Sequence, residues 1–271
     1  MQTIKLSSGY EIPILGLGTW QLTGRKCKEA VNEAIELGYR HIDTAWIYDN
    51  QEEVGAGIED SKVKREKLFI TSKVWTENLR YEDVLEQCEE TLTQLGLNYL
   101  DLYLIHWPNK NIPLEETFRA FKRLIAEKKV KSIGVSNFNI SRVKEAKAKS
   151  EIPISVNQVE YHPYLNQENL LEECKRNKIA LTAYSPLARG KILDDPILIK
   201  IANEVDKNPG QVALRWLIQK GIIVIPKASS ENHLRENMEI FDFKLSNQQM
   251  DEIEGIQIKK RLVNPKFSEF D

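Results

Sequence analysis

Cysteine is scarce: the chain holds three in 271 residues, Cys27, Cys88 and Cys174, none in a CxxC pair. That spacing excludes a metal or redox motif and leaves them as small buried apolar residues. A charge of one sign is also missing. With 38 Lys and Arg against 40 Asp and Glu, the net charge is −2, which leaves no basic excess for nucleic acid or an acidic lipid surface. No apolar run approaches the roughly 20 residues of a membrane span. Residues 1–7 have no apolar centre of a secretory signal, so we expect a cytoplasmic protein with no membrane partner. No Pro-, Gly- or Ser-rich linker divides the chain, and one domain is expected over residues 1–271. A glycine fingerprint of the G-x-G-x-x-G kind is absent as well. Gly16-Leu17-Gly18 is only a fragment of it, which argues against a dinucleotide site of the Rossmann type.

What is present is a rhythm. Hydrophobic residues make up 41% of the chain, enough for a large core, and short apolar runs alternate with longer helix-period segments. The spacing predicts a small hairpin from residues 4–6 and 11–13, then strands at 14–18, 40–44, 68–74, 99–107, 131–136, 154–160, 179–185 and 222–226. Helices are expected over 27–37, 81–95, 114–128, 141–149, 167–177 and 209–219, with an extra one at 246–255 before a polar tail. Gly38 and Gly96 follow two of them as helix stops. Eight strands alternating with helices imply a parallel sheet. The fold class read from this is α/β, a (β/α)8 TIM barrel with an N-terminal β-hairpin and an extra C-terminal helix and tail. An open doubly wound sheet is the alternative, and the missing glycine fingerprint counts against it.

Unusual polar residues fall at the ends of the expected strands: Asp43, Lys73, His106, Ser136 with Asn137, Gln158 with Glu160, Tyr184, and Lys227 just past the eighth. In a barrel those ends converge at the C-terminal mouth, where active sites are built. Taken singly, Asp43 reads as a strand-end cap, Tyr48 as a packed aromatic and His106 as a satisfied core histidine. Lys73 is harder to dismiss, because lysine rarely lies in a core-facing strand without a partner. Together they describe a proton donor. A tyrosine titrates near 10; the Lys73 ammonium would lower that value by favouring the phenolate, and Asp43 would partner the ammonium. His106 would hydrogen-bond a carbonyl and orient it. Such a site suits hydride addition at carbon while Tyr48 protonates oxygen. A Schiff-base lyase or aldolase using Lys73 and a non-catalytic cofactor-binding regulatory protein are the rival readings.

The motifs around these residues are similar to those of the aldo-keto reductase superfamily over essentially the whole chain. Gly38-Tyr39-Arg40-His41-Ile42-Asp43-Thr44-Ala45, followed by Tyr48 and Asn50, resembles its first signature. Leu104-Ile105-His106-Trp107-Pro108, Ile133-Gly134-Val135-Ser136-Asn137-Phe138 and Asn157-Gln158-Val159-Glu160-Tyr161-His162-Pro163 resemble the next three. Ala183-Tyr184-Ser185-Pro186-Leu187 and Ile225-Pro226-Lys227 resemble the last. The short Ala188-Arg189-Gly190-Lys191 loop and the tail with Asn264-Pro265 look most like the prokaryotic branch related to 2,5-diketo-D-gluconate reductase. The resemblance implies a catalytic tetrad of Asp43, Tyr48, Lys73 and His106. It implies that Ser136, Asn137 and Gln158 hold the nicotinamide carboxamide and that Tyr184 stacks on its ring. Thr19, Trp20, Ser185 and Leu187 would line the cofactor. Apolar walls for the substrate would come from Trp20, Trp46, Trp75 and Trp107, whereas Trp216, on a helix, reads as core.

One stretch departs from the family. After Lys227 the family offers a hydroxyl and later an arginine to an adenosine 2′-phosphate; here those positions hold Ala228 and His233. Ser229 and Ser230 remain as hydroxyls, Arg235 lies two residues further on, and Glu236 with Asn237 match the adenine-contacting pair. Histidine cannot reproduce a bidentate arginine–phosphate contact. The resemblance thus implies NADPH and/or NADH as cofactor, a small carbonyl compound as the only partner, no metal, and a monomer.

Overall fold

The structure is a computed structural model that describes residues 2–270; Met1 and Asp271, the two ends of the expected domain, lie outside the described residues. Strands β1 (Thr3–Lys5) and β2 (Glu11–Pro13) form the expected antiparallel hairpin, with Thr3 opposite Pro13 and Lys5 opposite Glu11. Then follow β3 (Leu17–Gly18), α1 (Gly24–Glu36), β4 (His41–Asp43), α2 (Gln51–Asp60), β5 (Phe69–Val74), α3 (Tyr81–Leu95) and β6 (Leu100–Ile105). Next come α4 (Leu114–Ala126), β7 (Val130–Ser136), α5 (Ile140–Lys149), β8 (Ile154–Glu160), α6 (Glu168–Arg176) and β9 (Ala180–Tyr184). The chain finishes with α7 (Pro196–Glu204), α8 (Pro209–Gln219), β10 (Ile223–Val224), α9 (Glu231–Met238) and α10 (Asn247–Glu254).

Strands β3 to β10 pair in parallel in chain order. The ring closes where Val224 bridges Leu15, with Val224 N–H donating to Ile14 at 2.9 Å and Gly16 N–H donating back to Val224 at 2.9 Å. The fold is therefore a (β/α)8 barrel, and the open doubly wound alternative falls. Gly18 is required at the seam: a Cβ there would meet the Ile225 carbonyl oxygen at 2.7 Å. The expected first and last barrel strands are shortened to two residues each. Pro226 has no N–H with which to extend the last ladder.

The helices follow their apolar spacing. Leu114, Phe118, Phe121 and Leu124 recur at three- and four-residue steps on α4 and are all buried against the barrel. Helix α3 ends where Gly96 turns left-handed at φ 62°. Helix α8 starts with a reciprocal Asn208–Gln211 capping box. Most of the core lies between barrel and helices. A second cluster, Leu6, Ile12, Phe69, Leu102, Leu104, Val156 and Ile223, fills the lower barrel interior against the hairpin.

Candidate active site

Alternate residues of a barrel strand share a face. That rule carries the inward faces from apolar to polar along their length. Phe69 and then Thr71 precede Lys73 on β5, and Leu102 and Leu104 precede His106 after β6. Val156 precedes Gln158 on β8, and His41 precedes Asp43 on β4. The apolar halves pack together at the bottom, so the polar residues gather at the mouth.

There Lys73, 0% exposed, donates to Asp43 Oδ1 at 2.5 Å and to the Thr44 carbonyl at 2.8 Å. Its Nζ lies 3.5 Å from the Tyr48 hydroxyl. Gln158 Nε2 donates to the other carboxylate oxygen of Asp43 at 2.6 Å. The Tyr48 and His106 rings meet edge to face at 5.6 Å, and Trp75 meets His106 likewise at 5.4 Å. Asp43 thus has each oxygen occupied, one by a cation and one by an amide.

Burial dominates the titration of this cluster. It pushes the Tyr48 phenol well above its ordinary 10, and the Asp43 charge adds to the rise. Burial also lowers the Lys73 ammonium, against the pull of Asp43. Burial first, and the Lys73 charge second, hold His106 well below 6.5, so its imidazole is neutral at pH 7. The direction for Tyr48 is opposite to the sequence expectation. The physical reason is that the half-buried phenol is partly desolvated beside the Asp43 charge, while Lys73 reaches its oxygen only at 3.5 Å and bonds Asp43 closely. The hydroxyl is kept protonated.

These groups face a cavity of about 760 Å³. Of the residues singled out from sequence, Thr19, Trp20, Asp43, Tyr48, Trp75, His106, Trp107, Asn137, Gln158, Tyr184, Ser185, Leu187 and Lys227 line it. Lys73 stands behind Asp43 rather than on the wall. Asn137, left-handed at φ 62°, donates to the His106 carbonyl at 2.9 Å and accepts from the Tyr184 hydroxyl at 2.8 Å. Ser136, expected beside Asn137 and Gln158, lies just behind them, its hydroxyl donating to the Gln158 carbonyl at 2.8 Å and accepting from Asn137. One expectation needs correction. Trp46 is not on the wall; its neighbour Ile47 takes that place on the short turn after β4.

Ser229, Ser230, His233, Glu236 and Asn237 also lie off the cavity wall, on α9 and the turn before it. Ser230 caps that helix, and His233 Nδ1 bonds Glu236 at 2.9 Å. Arg235 is paired with Glu231 one turn earlier, and Ala228 is buried.

Sequence reasoning overlooked several wall residues. Arg189 lies 4.5 Å from the Trp20 ring centroid and spans the cavity edge. Leu262, Val263 and Phe267 of the tail also line the cavity. Asn50, noted only as part of a motif, ties the loop bearing Trp20 by donating to Thr19 and Leu22, each at 2.8 Å. An arginine facing a tryptophan 169 positions away leaves no periodic trace; only the Asn50 position carried a signal.

A closed barrel with a lysine–carboxylate pair behind a tyrosine and a histidine is the arrangement of a carbonyl-reducing enzyme class. The sequence pattern of the Aldo/keto reductase family matches residues 14–258, and the chain belongs to that family. It is 47% identical over 261 residues to glyoxal reductase of Bacillus subtilis, covering 96% of this chain and 94% of that protein. The crystal structure of an aldo-keto reductase from a Medee basin deep-sea metagenome library superposes with a TM-score of 0.95 at 43% identity, covering 99% of each chain. A solved structure assigned as a 2,5-diketo-D-gluconic acid reductase B gives a TM-score of 0.93 at 38% identity, covering 98% of this chain and 96% of that one. Among the described residues, no helix is long and apolar enough to cross a membrane.

Proposed function

We propose that this chain reduces small aldehydes and ketones to alcohols, with Tyr48 as the proton donor and a nicotinamide cofactor bound along the cavity. The observation that carries the reading is the Lys73 ammonium, bonded to Asp43 and 3.5 Å from a Tyr48 hydroxyl that burial keeps protonated. The residues at the cavity fit such a cofactor. Gln158 has its Nε2 committed to Asp43, which leaves Oε1 to accept from a carboxamide N–H. The Tyr184 ring is anchored through its hydroxyl to Asn137 and stands on the wall where a flat ring could stack. Lys227, exposed at the rim, supplies charge for a phosphate. Bound there, the nicotinamide supplies the hydride.

The remaining steps belong to the protein. Neutral His106 can donate to a carbonyl oxygen and hold it within reach of Tyr48. Tyr48 releases its proton to that oxygen as negative charge develops on it. Lys73 steadies the phenolate that remains, and Asp43 keeps Lys73 charged. Trp75, Trp107 and the tail exclude water from the site. Every one of these groups comes from one chain, so the chemistry as proposed needs no residue from a second copy. The lyase reading is disfavoured because Lys73 has no exposure and stands off the cavity wall, out of reach of a carbonyl carbon.

For the cofactor we propose dual use of NADPH and NADH. Arg235 is held by Glu231, and His233 by Glu236, so neither stands ready as a fork for a 2′-phosphate. Similarity to glyoxal reductase supports small reactive aldehydes among the substrates. The test follows the near-ultraviolet absorbance of each reduced cofactor with an aldehyde panel, using Tyr48→Phe as control. Oxidation that the substitution abolishes is the expected result. Absence of oxidation with both cofactors would sink the reading, and an NADPH preference above about a few hundredfold, worth over 3 kcal/mol, would rule out dual use.

A further inference from the structure

One buried charge has no part in the chemistry above. Glu160 ends β8, two residues past Gln158, and is 0% exposed. Its Oε1 accepts from His162 Nε2 at 2.8 Å and from the Leu262 backbone N–H at 2.7 Å. Its Oε2 accepts from the Val263 backbone N–H at 2.8 Å. Residues 256–270 contain no helix or strand, so amides in this tail have no ladder to satisfy them. Two other anchors flank the carboxylate. Lys260 N–H donates to the Tyr164 carbonyl at 2.7 Å, and the Arg142 guanidinium grips both oxygens of Glu269. Between these anchors Leu262, Val263 and Phe267 face the cavity, and Phe267 meets Trp75 and Trp107 edge to face at 5.9 and 5.6 Å.

We propose that Glu160 is a positioning residue that sets the substrate wall: by holding the Leu262 and Val263 amides it fixes the tail across the mouth, and so fixes which carbonyl compounds fit beneath it. The donors are backbone amides and an imidazole, with no lysine or arginine among them. Charge-assisted bonds of this kind are short and directional, and they fix main chain rather than a mobile side-chain tip. The neighbouring Arg261 guanidinium does not compete, since it stacks 3.8 Å over the Phe270 ring. An amide in place of the carboxylate keeps the size of the side chain but turns an N–H against an N–H. The same strand therefore serves both occupants of the site, the cofactor side through Gln158 and the substrate side through Glu160.

The word substrate rests on the reductase reading; the anchor does not, and the test separates them. In the unaltered protein, amide hydrogen exchange at Leu262 and Val263 is expected to be about a hundredfold slower than at Lys266 and Phe267. Exchange at Leu262 and Val263 as fast as at those neighbours would overturn the proposal without any variant being made. In Glu160→Gln, trypsin is expected to cut after Lys260, Arg261 and Lys266 about tenfold faster while the barrel stays uncut. The KM for an aromatic aldehyde should rise about tenfold with kcat within about twofold, and the KM for a two-carbon dicarbonyl should stay within about twofold. Equal losses in kcat for both compounds, or unchanged trypsin sensitivity, would reduce Glu160 to a folding residue and overturn its positioning role. Slow amide exchange in a protein that oxidises neither cofactor would leave the anchor standing and remove the reductase reading.

Discussion

The barrel carries a carboxylate–lysine pair at each end, fully buried at the mouth and part-exposed at the lower end through Lys131, and the two ends use it differently. At the lower end Asp101, on β6, accepts from Lys131 at 2.9 Å and from the Ile70 N–H at 2.9 Å, and forms an ion pair with Arg65 at 2.7 Å. Arg65 and Lys131 also stand 4.0 and 4.1 Å from the Tyr99 ring centroid. These charges face one another and the protein. At the mouth Asp43 and Lys73 are paired as closely, but Tyr48 and His106 beside them face open space. A buried ion pair is weak evidence for either stability or chemistry by itself. What distinguishes the ends is whether a third group next to the pair points at a place where another molecule can sit.

The sharpest way to break this comparison is to alter one residue at each end. Tyr48→Phe should lower kcat about a thousandfold, the scale of a lost general acid, and leave the urea unfolding midpoint nearly unchanged. Asp101→Asn should do the reverse, removing about 1–2 kcal/mol of stability by weakening the contacts to the Ile70 amide and to two part-exposed cations, with kcat within about twofold. Comparable activity losses from both would end the distinction.

Two of the buried histidines, His41 and His106, sharpen it next. His41, below Asp43, has its pKa lowered to about 4, chiefly by burial. Its folded value lies below the unfolded one, so the unfolded chain binds the proton first. Stability is then lost as pH falls from 6.5 to 4, by about 3 kcal/mol in all. Urea titrations of the wild type and His41→Gln should differ in their pH slope in that window and run parallel above it. His106 is lowered in the same sense, so its protonation should leave no inflection in kcat/KM between pH 6 and 8. An inflection there that vanishes in a His106 variant would refute its neutrality.

The smallest expected effect lies outside the barrel. His233→Arg should raise the ratio of NADPH to NADH efficiency about tenfold, one good charge-assisted contact. No change in the ratio would place the phosphate away from α9.

Much of the fold was legible because barrel strands are short apolar runs and their helices have amphipathic period; the bounds of β8, α3 and α8 read directly. Helices α2, α7 and α9 were not foreseen. Gly55 and Gly57 interrupt α2 yet serve close packing, since a Cβ at Gly55 would strike the Leu95 carbonyl. Ile197-Leu198-Ile199 gives α7 an apolar run without period, although Asp195 caps it through Ile197 and Leu198. Helix α9 is eight residues long and mostly polar. At the site, Asp43, Tyr48, Lys73 and His106 were legible because each is an unusual residue at a strand end. Arg189, Ile47 and Phe267 were not, because they belong to loops whose approach depends on the closed ring. Glu160 was legible as a polar strand end, but its partners lie 102 and 103 residues away.

The hairpin makes the molecule one-sided. Leu6 and Ile12 pack with Phe69, Leu102 and Ile223 to fill the lower interior, which leaves the cavity beside Asp43 and Tyr48 at the opposite end of the barrel. A plug far from any reacting atom thereby decides which face of the ring meets small molecules.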